Sequence, residues 1–460
     1  MTDDARARAI VPVLLFVGTV VAVVSSLGAP LVPTIAEVDD VSLAAAQWSL
    51  TVTLLVGAVA TPALGRLGDG PRRKQVVVGV LVAVLLGSVL AALPLGFPAL
   101  IAGRALQGLG LGLTPLAMAV ARDSLPGDRA RSAVAMLSVT TVAGVGFGYP
   151  LTGLMTDAFG LHSGFWFGAA MSGTAALLAA WVLPAGHGGA APRFDGLGAL
   201  LLGGALAGLL VAVSESAEWG VSSPRLGGLV LLSLVLLALW VRQELRTENP
   251  LVDVRLLRAR PVLTAAVTGL LGGVGMYLLL SIVTRFVQTP TAAGYGFGAS
   301  VVVSGLVLLP FSLASVAASR VAPLVARAVS PRAVLPVGSA MFLLAALGFA
   351  LAHDAFWQLF VVMGVAGLGV GCTFAALPGL ILGAVPASET GSAMGFNQVL
   401  RMAGFSLGSA LSATVLELHT PAGSSLPSEA GYTVAALAGV GIFVVAVAFA
   451  LALPGRSPAR

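Results

Sequence analysis

Charge is what this chain has least of: 9% of its 460 residues are Asp, Glu, Lys or Arg, against roughly 25% in a soluble protein. Lysine occurs once, at Lys74, and no GxxxxGK[ST] surrounds it, which excludes an ATP-driven pump built on that phosphate loop. Cysteine also occurs once, at Cys372 inside an apolar run. One cysteine makes neither an intrachain disulfide nor a thiolate metal site. The four histidines, His162, His187, His353 and His419, are scattered over span ends and loops. The sequence therefore predicts no metal centre and no membrane-embedded enzyme. What is abundant is apolar: 58% of the residues, spread evenly. One globule cannot bury so much, so lipid must be the solvent for much of the chain. The first apolar run outlasts a signal peptide's core of about 7–15 residues, and similar runs recur to the end.

A spanning helix needs about 20 apolar residues. That length gives fourteen intervals, at 10–31, 47–66, 76–95, 99–121, 132–156, 163–183, 195–213, 225–243, 262–284, 297–319, 333–352, 356–383, 392–416 and 431–454. The seventh and eighth are long enough to span, although glycine-rich helices with short loops also suit re-entrant segments. With Arg6 and Arg8 in the cytoplasm, 20 of the 24 Lys and Arg residues fall on inner segments. That asymmetry supports both the count and cytoplasmic termini. It also accounts for the pI of about 10.1 without a nucleic-acid partner.

The charged inner stretch from Arg242 to Arg260 separates two blocks that resemble each other. GLGLGLT at Gly108–Thr114 matches GLGVGCT at Gly367–Thr373 at an offset of 259, and Ser132–Ala133 matches Ser392–Ala393 at 260. A near-constant offset implies two six-helix bundles inserted in the same direction, the plan of a rocker-type transporter. The predicted fold class is an all-α integral membrane protein. Its expected parts are an N-terminal bundle at 1–185, two inserted helices with a cytoplasmic linker at 186–260, and a C-terminal bundle at 261–460.

Three stretches carry a family resemblance. GRLGDGPRRK at Gly65–Lys74, five charges in ten residues, resembles the signature loop of the major facilitator superfamily. GRALQGLG at Gly103–Gly110 resembles the superfamily's helix 4 motif, and GVGFGYPLTG at Gly144–Gly153 the helix 5 motif of its antiporters. With the 6+2+6 plan, the whole chain resembles the fourteen-helix drug:proton antiporter branch. The resemblance implies a transporter rather than an enzyme, using no cofactor and driven by a proton gradient.

The chemistry of these residues agrees with a gate. Gly65 and Gly68 let the loop lie close against the opposite bundle. Asp69 can offer its carboxylate to a helix N-terminus, and the repeat points to the start of span 13, near Ser388–Ser392. Arg73 pairs with Asp69 or with Asp123, while Arg72 and Lys74 chiefly set topology; the alternative is a plain topogenic loop. Arg104 lies inside span 4, where an arginine costs roughly 2.5–3.5 kcal/mol near the bilayer centre, so it should face the bundle interior. The resemblance implies a role in proton coupling; a structural bond to carbonyls is the alternative. Arg401 with Asn397 and Gln398 makes a polar stripe near the midplane, read as a substrate-cavity wall or a structural polar cluster. Gly144, Gly148 and Gly153 form a small face for close helix packing, and Pro150 adds a bend.

The chain also departs from the branch. Its exporters of cationic drugs usually carry an acid in helix 1, nine residues before a proline; counting back from Pro33, that position is Val24. Asp157, Glu417, Asp123 and Glu389 all fall at span ends, so no acid is expected deep in a span. Two embedded arginines without an embedded acid favour a small lipophilic substrate that is neutral, zwitterionic or anionic. Proton coupling then falls to Asp157, to Asp69 with Asp123, or to a carboxylate on the substrate. The alternative function is a proton-independent facilitator, or an exporter of an endogenous metabolite or lipid. The remaining expectations are a monomer, surrounded by membrane lipid, multi-pass in a bacterial plasma membrane.

Overall fold

The computed structural model describes residues 3–27, 31–41, 43–68, 70–184, 195–220, 223–248, 250–386, 389–421, 424 and 426–452. Among the described residues, each of the fourteen apolar intervals is mostly helical. In chain order the helices are α1 (Asp3–Ser26), α2 (Val32–Val38), α3 (Leu43–Gly68), α4 (Arg73–Ala92), α5 (Phe97–Gly108) and α6 (Leu113–Ser124). Then come α7 (Gly127–Phe159), α8 (Ser163–Val182), α9 (Gly196–Trp219), α10 (Pro224–Arg246), α11 (Arg260–Gln288) and α12 (Val301–Val307). The last five are α13 (Leu309–Ala328), α14 (Val334–Leu351), α15 (Phe356–Leu382), α16 (Thr390–Leu418) and α17 (Glu429–Leu451). Among the described residues, ten helices are long and apolar enough to cross a membrane; Ala9–Ser25 and Gly196–Ala212 are shorter apolar stretches.

Span 4 is interrupted. A 3₁₀ turn at Leu109–Gly112 separates α5 from α6. Pro115 lacks the N–H that would bond the Leu111 carbonyl, and the glycines around it tolerate the tighter winding. The matching GLGVGCT run has Phe374 and Ala375 after its threonine instead of proline, and α15 continues through it unbroken. Span 10 is broken in the same way, between α12 and α13, where Pro310 follows Leu309.

The chain divides into two compact units: Met1–Val254 with Val385–Val399, and Arg255–Ala384 with Leu400–Arg460. In the first, α1 packs on α7 and α8, α4 on α5 and α8, and α9 on both α3 and α10. The inserted pair α9–α10 is thus joined to this unit through α3. In the second, α15 packs on α11, α13 and α14, and α17 on α11 and α14.

Glycine sets the closest approaches in both units. Gly144 of α7 lies so near Ala22 of α1 that a Cβ would collide with it. Gly404 and Gly408 stand at the offset of 260 from Gly144 and Gly148. On α16 they press against the α11 backbone at Leu270 and Val274. The small face read at span 5 therefore has a counterpart in the second unit, which extends the internal repeat beyond the matches seen by eye. The GLGLG and GLGVG runs are packing surfaces too: Gly108 lies against the Thr53 carbonyl, and Gly371 against the Ser315 carbonyl.

Candidate functional site

The first unit gathers the signature-loop residues around the first turn of α16. A Cβ on Gly65, near the end of α3, would stand 2.6 Å from the Gly391 carbonyl oxygen. Only glycine allows α3 and α16 to approach this closely. Asp69, four residues further on, lies outside the described residues. Arg73, the first residue of α4, donates from Nε to the Gly68 carbonyl and from Nη1 to Asp123 Oδ2 and, at 3.3 Å, to the Ala119 carbonyl. The Gly68 carbonyl ends α3, where the helix dipole favours a cation. Of the two partners open to Arg73, the described one is Asp123.

Arg122, counted by sequence with the topogenic charges, has a more specific place. Its Nη2 donates to the Val385 carbonyl at 3.0 Å, and Nη1 reaches the Pro386 carbonyl and the Thr390 hydroxyl. It holds the turn that leads into α16. Arg122→Ala is expected to speed amide exchange across 383–391 while lowering global stability by only about 1 kcal/mol, since the side chain is partly exposed. Hydrogen–deuterium exchange on the purified protein reads this directly; unchanged exchange in that segment would contradict it.

Arg104 is fully buried in α5. Its Nε donates to the Ser49 carbonyl at 3.0 Å; its Nη1 donates to the Val24 carbonyl at 3.1 Å and to Gln107 Oε1 at 2.6 Å. Gln107 in turn donates to Ser88 Oγ at 2.9 Å, and the Thr53 hydroxyl donates to the Arg104 carbonyl. One network thus ties α1, α3, α4 and α5. Val24 is the position where an acid was expected and is missing. There the arginine is met by a main-chain carbonyl in the last turn of α1. The helix dipole puts negative charge at that end of α1, which suits the guanidinium.

The structure also buries an acid that sequence analysis left in the charged inner stretch. Helix α10 runs on to Arg246, and Glu244 is fully buried on it. Its Oε1 accepts from Trp240 Nε1 at 2.7 Å and its Oε2 from the Val252 N–H at 3.3 Å. Asp195 approaches from the start of α9: the position of a Cβ on Gly198 is 2.6 Å from Asp195 Oδ2 and 2.8 Å from Glu244 Oε1. Among the described residues, neither carboxylate has a basic partner. The same neighbourhood touches α16, through the Trp240–Phe396 ring contact at 5.9 Å and a Ser392 hydroxyl donating to the Leu251 carbonyl. The i, i+4 spacing of Trp240 and Glu244 was the available signal for it.

The remaining predicted residues divide between the units. Asn397 and Gln398 are buried in the first, while Arg401 is buried in the second, its guanidinium 3.9 Å from the centre of the Phe374 ring. Gly144 and Gly148 are buried on α7. Asp157, Pro150 and Gly153 are helical in α7, and their side chains lie outside the described set.

Comparison with known proteins places these features in a family. The family model described as Major Facilitator Superfamily matches residues 14–409. The multidrug resistance protein B homolog of Mycobacterium tuberculosis is 28% identical over 386 residues, covering 81% of this chain and 69% of that protein. The multidrug resistance protein Stp of the same organism is 29% identical over 383 residues, covering 82% and 69%. Among solved structures, the human organic anion transporter MFSD10 (TETRAN) superposes with a TM-score of 0.66 at 17% identity, covering 96% of this chain and 99% of that one. At that identity the likeness is one of fold alone.

Proposed function

The chain belongs to the Major Facilitator Superfamily, a family of transporters and not of enzymes, and from that premise we propose that it exports small lipophilic molecules in exchange for protons by alternating access. The observation that carries this reading is the clasp on the start of α16, made by Gly65 and Arg122 beside the Arg73–Asp123 ion pair. By sequence, residues 385–399 belong to the back block, yet they group with the front unit. A rocking step would have to break these contacts and remake them. The names of the relatives support drugs or toxins as the cargo class.

In this reading fourteen helices cross the membrane as two six-helix bundles and an inserted pair, with both termini in the cytoplasm of a bacterial cell and the monomer as the working unit. The substrate is neutral, zwitterionic or anionic, because among the described residues Arg104 and Arg401 are the buried charges inside the apolar intervals, and Val24 stands in place of an acid. The carboxyls available to carry a proton are Asp157, Asp69 with Asp123, and the buried Glu244 beside Asp195.

A stability screen on purified protein identifies a substrate, and proteoliposomes with an imposed pH gradient and internal pyranine then report proton movement. Substrate-induced proton flux that is lost in Asp157→Asn or Glu244→Gln supports antiport and assigns the carrier. Substrate flux indifferent to the gradient supports the second reading, facilitated export, which the carbonyl-bound Arg104 at the site of the missing acid favours. Efficient transport of a quaternary dication by Asp157→Asn would count against the substrate class.

A further inference from the structure

The second unit holds a cluster that transport does not use. His353 follows the end of α14, with its ring stacked on Phe349 and met edge-on by Phe286 at 4.9 Å between centroids. The side chain is 9% exposed. Its Nδ1 lies 2.7 Å from the Phe349 carbonyl oxygen. A carbonyl can only accept, so Nδ1 carries the hydrogen and Nε2 points the other way. Nε2 lies 3.2 Å from Oε1 of Glu429, the first residue of α17, and donates to it when it carries a hydrogen; without one it can bind a metal ion. Asp354 completes the group: the ligand atoms of His353, Asp354 and Glu429 all lie within 4.8 Å of one another. Three side chains that can ligate a metal ion thus lie together, and the two carboxylates are on exposed side chains that solvent ions can reach.

We propose that His353, Asp354 and Glu429 form a binding site for a first-row divalent metal ion of the zinc class. One imidazole nitrogen and two carboxylates suit such an ion, leaving further positions for water. The Nδ1–H bond to a carbonyl is the outer-shell contact that orients metal-binding histidines, and here the aromatic clamp holds the ring as well. The bound ion would fasten the end of α14 to the start of α17, two helices that already pack together. Beside this point the Tyr295 hydroxyl donates to the Pro427 carbonyl and the Thr289 hydroxyl meets that of Tyr432.

The test uses the full chain, purified in detergent with any histidine tag removed, and zinc chloride as the probe. Zinc should raise the thermal midpoint where equimolar magnesium does not. Isothermal titration should give about one ion per chain, with affinity falling tenfold or more in His353→Gln and in Asp354→Asn. Because Asp354 is exposed, its substitution separates loss of the site from loss of the fold. No zinc-dependent shift in the wild type, or a shift in both variants as large as that of the wild type, would overturn the proposal.

Discussion

Arg104→Met should lower the stability of the protein by about 2 kcal/mol, at roughly 1 kcal/mol for each acceptor left short of a donor, since the Ser49 carbonyl still accepts from the Thr53 hydroxyl. The Val24 carbonyl, the Ser49 carbonyl and Gln107 Oε1 all take hydrogen bonds from this one guanidinium. Methionine fills the volume and supplies no donor. Arg104→Lys should recover part of the loss and no more, because a point-like ammonium cannot reach as the planar fork does. Transport should fall in the same order, since the network ties α1 to α3, α4 and α5 and any rocking of the front bundle moves them together. Thermal unfolding of the purified variants, read beside proteoliposome flux, checks both parts. A methionine variant as stable as the wild type would show that the acceptors find other partners.

Gly408→Val should be as damaging for the opposite reason. A side chain there meets the Val274 backbone of α11, and backbone cannot turn aside as a flexible side chain can. Overpacking of this kind costs roughly 1–3 kcal/mol, and valine sits at the upper end or prevents accumulation of folded protein. Gly441→Ala on α17 is the control, with open space around its Cβ. Removing a glycine from a helix interior there should stabilise by about 0.5–1 kcal/mol. Folded yield and thermal midpoint distinguish the two; equal behaviour would mean that α11 and α16 are free to separate.

The helical plan was legible in the chain because hydropathy is additive along it. A run of 20 or so apolar residues partitions into lipid whatever its neighbours do. The breaks in spans 4 and 10 were less visible, although Pro115 and Pro310 mark both. Of the candidate residues, Gly65, Arg73, Asp123, Arg104 and Gly144 were named from motif and charge. Arg122 and Glu244 were missed. Both looked like ordinary inner-face charges, and their roles depend on Thr390 and on Asp195 and Val252, which no local pattern links to them. His353 was set aside because four scattered histidines make no spacing motif, and its carboxylate partner Glu429 lies 76 residues away.

By itself the sequence determined that this is a helical membrane protein with an internal repeat, a charged loop after its second span and an arginine embedded in its fourth. These are properties of composition, order and period, which survive without knowledge of any contact. Tertiary structure alone decided what the charges touch: Arg104 the end of α1, Arg122 the start of α16, Glu244 the Val252 N–H. The reason is physical. The cost of burying a charge can be read from one residue, but the group that offsets it is supplied by whichever distant segment the packing of helices brings within about 3 Å.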